Sequence, residues 1–373
     1  MRDEPSLDSL NAELARASKM LNRCANVMKE RDLLPRTNIR HIAEALVAIF
    51  EIQNDIYAQR PDLTPKHLDP PPVNEVYRQM AIYRDRPELR VPIEAANAKS
   101  RRLRELVVAP EILVMPGAWD SLSAILFEHL GFQAIQGSSA AIAAVLGYQD
   151  GEAIQRGATT QATAMMVAAV SVPVNGDGEA GYGGPDQTAH TVHLMVRSGA
   201  AGMNLEDSIP SGPTAAGRQL AAIPNHLDKI AAVMEARRAL ASEFFLNARV
   251  DAFAIMRDDP KAALAEAIKR GNAYAEAGAD CIFYLGVSDR DTIATLVNEV
   301  AAPVSIFATA DTPSVAELQE LGVARVSYGS AFQRAALAAL KRFAERIREP
   351  DGHAQMREVV SGRELQEMLR GRI

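Results

Sequence analysis

The stretch Val174-Asn175-Gly176-Asp177-Gly178-Glu179-Ala180-Gly181-Tyr182-Gly183-Gly184 decides between two α/β architectures for this chain. Residues 176–181 satisfy the spacing G-x-G-x-x-G and follow a mostly apolar run, 170–174, that reads as a strand. A dinucleotide-binding turn of that spacing opens a helix at once, so that the helix N-terminus faces a pyrophosphate. Here Gly183-Gly184-Pro185 postpones any helix. Asp177 and Glu179 would also stand where phosphates lie, and would repel them. The glycines instead let the backbone bend close to a cation at the end of a strand.

Outward from this stretch, short apolar runs alternate with longer alanine-rich segments of helical length. The runs are 112–117 (ILVMPG), 132–139 (FQAIQGSS), 172–178 (VPVNGDG), 201–207 (AGMNLED), 244–252 (FFLNARVDA), 279–286 (ADCIFYLG), 302–309 (APVSIFAT) and 323–330 (VARVSYGS). Several follow a Gly where a helix should end, as at Ala277-Gly278-Ala279 and Leu321-Gly322-Val323. Eight β–α units within 106–345 predict an α/β fold of the (β/α)8 TIM-barrel type. A doubly wound sheet usually has fewer strands and leaves polar residues at so many strand ends unexplained. Residues 1–105 read as an N-terminal α-helical extension, with helices over 6–32, 36–59, 74–83 and 93–106. Between them, 61–75 is a connector carrying Pro61, Pro65, Pro70, Pro71 and Pro72. Residues 346–373 read as a C-terminal helical segment.

Composition narrows the function classes. The chain is 48% apolar and 23% charged, as soluble globular proteins are. Its formal net charge of −7 argues against a nucleic-acid partner, which needs a basic face. It does not argue against an anionic substrate, because one arginine in a cleft sets the local field. Cys24 and Cys281 lie far apart and suggest no disulfide framework. With a polar N-terminus lacking an apolar signal core, they point to the cytoplasm. No window reaches about 18 uninterrupted apolar residues, so no membrane span is expected.

In a (β/α)8 barrel the active site sits at the C-terminal ends of the strands. The residues at those ends are Ser138, Ser139 and Ala140, Asp177 with Glu179, Glu206 with Asp207, and Arg249 with Asp251, while Asp150 follows the second run. Asp150, Asp177, Glu179 and Glu206 would therefore converge on one mouth. Unpaired carboxylates that close repel, so one takes a proton or a cation sits among them. All-oxygen donors call for a hard ion, Mg²⁺ by default and Mn²⁺ as the substitute. Arg249 lies on a strand that should be buried and needs an anion there, either a substrate carboxylate, or Glu206 or Asp251, or both. The turn Gly137–Ala140 offers N–H groups and two hydroxyls to a carboxylate or an enolate oxygen, although a plain small-residue turn has the same composition. His190 and His193 fit a packed or solvated helix face, and Cys281 fits the core.

The ordered motifs MPGAWDSLSAILFEHLGFQAI, GSSAAIAAVLGYQDGE, PVNGDGEAGYG, NLEDS, NARVDA and LGVARVSYG resemble the isocitrate lyase / phosphoenolpyruvate mutase superfamily over about residues 110–345. The resemblance implies a (β/α)8 barrel, Mg²⁺, and 2-oxo acid chemistry through an enolate of pyruvate type. It also implies a homodimer or homotetramer, often with a C-terminal helix swapped between neighbouring barrels. Residue by residue, it makes Asp177 the acid that binds Mg²⁺ directly or through water. Glu179 stands where many members have a second Asp, and Glu206 and Asp150 match acids of the metal's water shell. Arg249 matches the arginine that binds a substrate carboxylate, and Ser138, Ser139 and Ala140 match the turn that holds the substrate's oxygens.

Two departures bear on the reaction. The lyases carry a K-x-C-G-H type loop whose Cys is the acid in cleavage, and the mutases an E-D-K…K-x-N-S loop. Residues 208–226, SIPSGPTAAGRQLAAIPNH, have neither Cys nor Lys, and would serve as a lid. Gln136 replaces the usual aromatic before the Gly-Ser turn, and a strand-seven Asn common in the family is replaced within 305–313. The expected function is a Mg²⁺-dependent lyase that cleaves a C–C bond of, or decarboxylates, a small 2-oxo or 2-hydroxy carboxylic acid through a metal-stabilised enolate. Tyr148, Tyr182, Arg218, His226 or water would deliver the proton. Phosphonopyruvate hydrolase or mutase chemistry on the same scaffold, and a non-catalytic ligand-binding barrel, are the alternatives. Residues 1–100 lie outside the resemblance and suit a helical cap or an oligomerisation arm.

Overall fold

Pro116 divides the first strand and so sets how the barrel closes. It carries no N–H, and a hydrogen-bond ladder cannot run through it. The first apolar run therefore splits into β1 (Leu113–Met115) and β2 (Gly117–Ala118). The remaining barrel strands are β3 (Ile135–Gly137), β4 (Val174–Asp177), β5 (Gly202–Glu206), β8 (Phe245–Val250), β9 (Cys281–Tyr284), β10 (Val304–Phe307) and β11 (Arg325–Ser327). Two short strands, β6 (Ser208–Ile209) and β7 (Gln219–Leu220), form a separate antiparallel pair after β5. The sheet order β1-β11-β10-β9-β8-β5-β4-β3-β2 begins and ends on the two halves of that first strand, and every pairing is parallel. The result is the (β/α)8 barrel, with strand in each of the eight apolar runs.

The computed structural model describes residues 6–30, 86–209 and 218–370, with scattered positions between 42 and 63 and between 77 and 82. The chain divides into two units, Met1–Pro71 and Pro72–Ile373. In the first, helix α1 (Leu7–Glu30) occupies most of the span expected for the first helix. Gln53 Nε2 donates to Asn11 Oδ1 at 3.0 Å, and Arg60 bridges Asp8 and Asp62 at 3.1 and 2.7 Å. The described positions within 36–59 are helical. Most of the proline-rich connector, and 210–217 of the expected lid, lie outside the described residues.

In the second unit, helix α2 (Pro87–Val107) starts six residues before the expected 93, because Pro87 is a suitable first helical residue. The sequence reading grouped this helix with the extension, but it packs under the barrel. Its Ser100 Oγ donates to the Ala201 carbonyl at 2.8 Å, and Arg104 Nη2 meets Asp280 Oδ1 at 2.8 Å. Its Leu103 is fully buried among Met115, Phe245 and Cys281. Ala201 and Asp280 immediately precede β5 and β9, so α2 covers the N-terminal ends of the strands and leaves the C-terminal ends open.

The barrel interior is unusual in chemistry. Such interiors are normally layered with branched aliphatic side chains. Here Asn175, Asn204 and Asn247 form a buried chain in which Asn175 and Asn247 donate to Asn204 Oδ1 at 3.0 and 2.8 Å. Asn175 also donates to Gln136 Oε1 at 2.9 Å, and Arg325 donates to the same oxygen. Gln136 is thus the hub of a polar layer at the base of the mouth. Arg325 is fully buried, and burial lowers its pKa to about 10. The largest apolar cluster lies between strands and helices, around residues such as Met195, Val233, Leu246 and Ile306.

Candidate active site

A cavity of 330 Å³ opens at the C-terminal ends of the strands. Gln136, Gly137, Ser138, Ser139, Ala140, Asp150, Asp177, Asn204, Arg218 and Arg249 line it on the polar side, with Phe283, Leu285 and Phe307 opposite in chemistry. The turn after β3 owes its shape to a cap. Ser138 is the N-cap of helix α3 (Ser139–Val145), its hydroxyl accepting from the Ala141 N–H at 3.4 Å. Ser138, Ser139 and Ala140 at that helix start line the mouth. The Ser139 N–H already donates to Asp177 Oδ2 at 3.3 Å, and its hydroxyl to Asp150 Oδ1 at 3.3 Å.

The acids gather as the strand ends predict. Asp177 closes β4 and also accepts from the Glu179 N–H at 3.1 Å. Glu179 holds a left-handed backbone at φ 49°, a conformation costly for a residue with a side chain and common at functional sites. Its Oε1 is buried with no hydrogen-bond partner among the described residues. Glu206 closes β5, accepts from Ser208 Oγ at 3.0 Å and pairs with Arg249. Burial, the Asp177 charge, and then Glu206 and Asp150, hold the Glu179 carboxyl well above its usual range. Burial also raises Asp177, and pushes Glu206 up to about 7 against the opposing pull of Arg249. This is the signature of buried negative charge in excess of its local compensation.

That excess fits a divalent cation. Among the described residues, no three His, Cys, Asp or Glu side chains form a ready-made chelate. An ion here would keep much of its coordination shell as water, which is how Mg²⁺ is usually held by one or two carboxylates. The orphaned Glu179 oxygen and the under-used Asp177 carboxylate are suitable hard donors.

Arg249 is more committed than its sequence context implied. Its Nε and Nη2 grip Asp251 at 2.6 and 2.8 Å, and its Nη1 meets Glu206. Burial would weaken its proton affinity, but Asp251 and Glu206 more than offset this and raise its pKa well above normal. Arg249 is thus ion-paired internally, as one sequence reading expected, and it also lines the cavity. Asp207, beside Glu206, serves another purpose. It is fully buried, takes Arg270 Nη1 at 3.0 Å and Tyr274 OH at 2.9 Å, and accepts from the Asp251 N–H at 2.9 Å. It braces the strand ends that carry Glu206 and Asp251.

The expected proton donors separate. Arg218 lines the cavity. Tyr148 does not, and is 57% exposed. His226 is buried at the start of the helix Ile223–Leu240, its ring 4.6 Å from that of Tyr274 and tilted to it by 51°, and it does not line the cavity. Tyr182 bonds Thr159 Oγ1 at 2.8 Å behind the mouth. His190 and His193 sit on one helix with rings 6.4 Å apart, and Cys281 is buried in β9. Sequence reasoning missed Asn204, which lines the cavity. It named Asp251 as a partner for Arg249, and the structure shows that pairing as a bidentate grip.

Comparison with known proteins agrees with this geometry. The phosphoenolpyruvate phosphomutase family model matches residues 103–348. The chain is 34% identical to phosphoenolpyruvate phosphomutase of Streptomyces hygroscopicus, covering 67% of this chain and 80% of that one. It is 32% identical to 2-methylisocitrate lyase of Bacillus subtilis, covering 65% and 79%. Among solved structures, oxaloacetate acetylhydrolase in complex with the inhibitor 3,3-difluorooxalacetate superposes with a TM-score of 0.63 at 28% identity, covering 73% of this chain and 93% of that one.

Proposed function

The chain belongs to the isocitrate lyase / phosphoenolpyruvate mutase superfamily, and from that premise we propose that it is a Mg²⁺-dependent lyase acting on a small 2-oxo or 2-hydroxy carboxylic acid. The observation that carries the reading is the buried acid cluster Asp177, Glu179 and Glu206 beside a mouth that also presents Arg249 and the Ser138–Ala140 turn. Asp177, with Glu179, Glu206 and Asp150 acting largely through water, would hold the cation. When bound, it supplies positive charge to the substrate oxygen on which negative charge builds as the C–C bond breaks.

The chain's own groups orient the substrate. The free end of Arg249 and the donors of the Ser138–Ala140 turn fix one carboxylate. Phe283, Leu285 and Phe307 give the cavity an apolar wall that limits water around the reacting carbons. None of the described residues lining the cavity is Cys, His, Lys or Tyr. With no such acid at hand, decarboxylation fits best. In a 2-oxo acid with a second carboxylate on C3, the C3–carboxylate bond breaks, its electron pair passes to the 2-oxygen as an enolate, CO₂ leaves, and water returns a proton to C3.

A homodimer or homotetramer accompanies this reading. It is supported by Leu337 and Leu340, 53% and 61% exposed on the helix Ala331–Arg346. The test of function is a screen of small di- and tricarboxylates with Mg²⁺, following pyruvate, glyoxylate and CO₂. The proposal expects release of one of these. Phosphate release from phosphonopyruvate, with no C–C cleavage, would move the chain to the alternative chemistry on the same scaffold.

A further inference from the structure

The two guanidinium groups at the mouth are not equivalent. Two of the five N–H groups of Arg249 are taken by Asp251, and its Nη1 is ion-paired with Glu206. Arg218 is only 12% exposed at its side chain, and its closest acidic oxygens are Glu206 Oε1 at 3.9 Å and Asp150 Oδ2 at 4.0 Å. Both are beyond hydrogen-bond reach. Its Nε is buried and has no hydrogen-bond partner among the described residues. A guanidinium buried to this degree and left without close hydrogen bonds is a costly arrangement unless an anion joins it.

The geometry also fixes where that anion would lie. Arg218 and Arg249 approach opposite oxygens of one carboxylate, that of Glu206, so they flank a single small space. Both line the same cavity as the Ser138–Ala140 turn. One end of a substrate is provided for by that turn and the free end of Arg249. A second anionic group within a few bonds of the first would meet Arg218.

We infer that Arg218 is a specificity-determining residue that binds the second carboxylate of a short dicarboxylate substrate. The inference rests on the reading of the mouth as the substrate site of a 2-oxo or 2-hydroxy acid lyase. It replaces proton delivery as the role of Arg218.

Lactate and malate test it, because both carry a 2-hydroxy carboxylate and only malate has a second carboxylate. Calorimetric titration of the full chain with Mg²⁺ would compare them, with oxalate as a control for the metal and first-carboxylate site. The expected result is that wild type prefers malate to lactate by about tenfold to a hundredfold. Arg218→Met should collapse that ratio toward one while still binding oxalate, and Arg218→Lys should keep most of it. If oxalate binds but wild type does not prefer malate, or if Arg218→Met retains the preference, the role of Arg218 is overturned and the lyase reading stands. If Arg218→Met loses oxalate as severely as malate, the residue shapes the site as a whole and the inference falls. If oxalate does not bind wild type with Mg²⁺, the lyase reading itself fails, and the inference with it.

Discussion

At the scale of single residues, burial without a partner marks groups in the site, such as Arg218, and groups away from it, such as His226, so position at the cavity is what separates them. His226 is 1% exposed, and neither ring nitrogen has a hydrogen-bond partner among the described residues. Burial, with Lys229 and Arg270 adding to it, lowers its pKa to about 3. A group whose folded pKa is depressed supports stability above its unfolded pKa and loses it as pH falls toward the folded value. Wild type should therefore lose stability to His226 below about pH 6.5. His226→Leu removes that dependence, and the stability difference should shift in its favour by about 2 kcal/mol between pH 7 and pH 5. Urea unfolding at both pH values checks this, and an unchanged difference would refute it. The sequence placed Asp177, Glu179 and Glu206 at or just past strand ends, as the structure does, because glycine neighbours and strand ends place a backbone without needing side-chain detail. It did not separate His226 and Tyr148 from Arg218. That distinction depends on which face of a helix or loop packs inward, and the spacing of so few residues does not fix it.

At the scale of elements, closure of the barrel depends on the junction of β1 and β2. A Cβ built on Gly117 would lie 1.8 Å from the Gly329 carbonyl oxygen, a backbone atom that cannot yield like a flexible side chain. Gly117→Ala should therefore cost at least about 1 to 3 kcal/mol. Thermal unfolding would register this as a fall of several degrees, whereas an unaltered midpoint would mean the junction is looser than its geometry. The eight strands were legible because each is a short buried run between helix-length segments. The division at Pro116 was latent in the missing N–H, but which half pairs with which neighbour is settled only by closure. Helix α2 was legible as a helix and not as part of the barrel unit, since the contacts that tie Ser100 and Arg104 beneath the strands span more than a hundred residues.

At the scale of the whole molecule, the chain combines a helical N-terminal unit with a barrel whose mouth concentrates buried acids and two arginines. Among the described residues, no helix is long and apolar enough to cross a membrane. The glycine-rich stretch that opened two architectures now has a definite place: it carries β4 into Asp177 and turns the backbone left-handed at Glu179, and the next helix starts only at Pro185. The central claim is that this mouth holds a divalent cation together with a 2-oxo acid. Calorimetric titration of oxalate, a mimic of the pyruvate enolate, tests it most directly, in wild type and in Asp177→Ala with and without Mg²⁺. The account predicts that wild type binds oxalate only with Mg²⁺, and that Asp177→Ala loses this binding while keeping its far-ultraviolet circular dichroism. Oxalate binding that is indifferent to Mg²⁺, or undiminished in the folded Asp177→Ala variant, would contradict it.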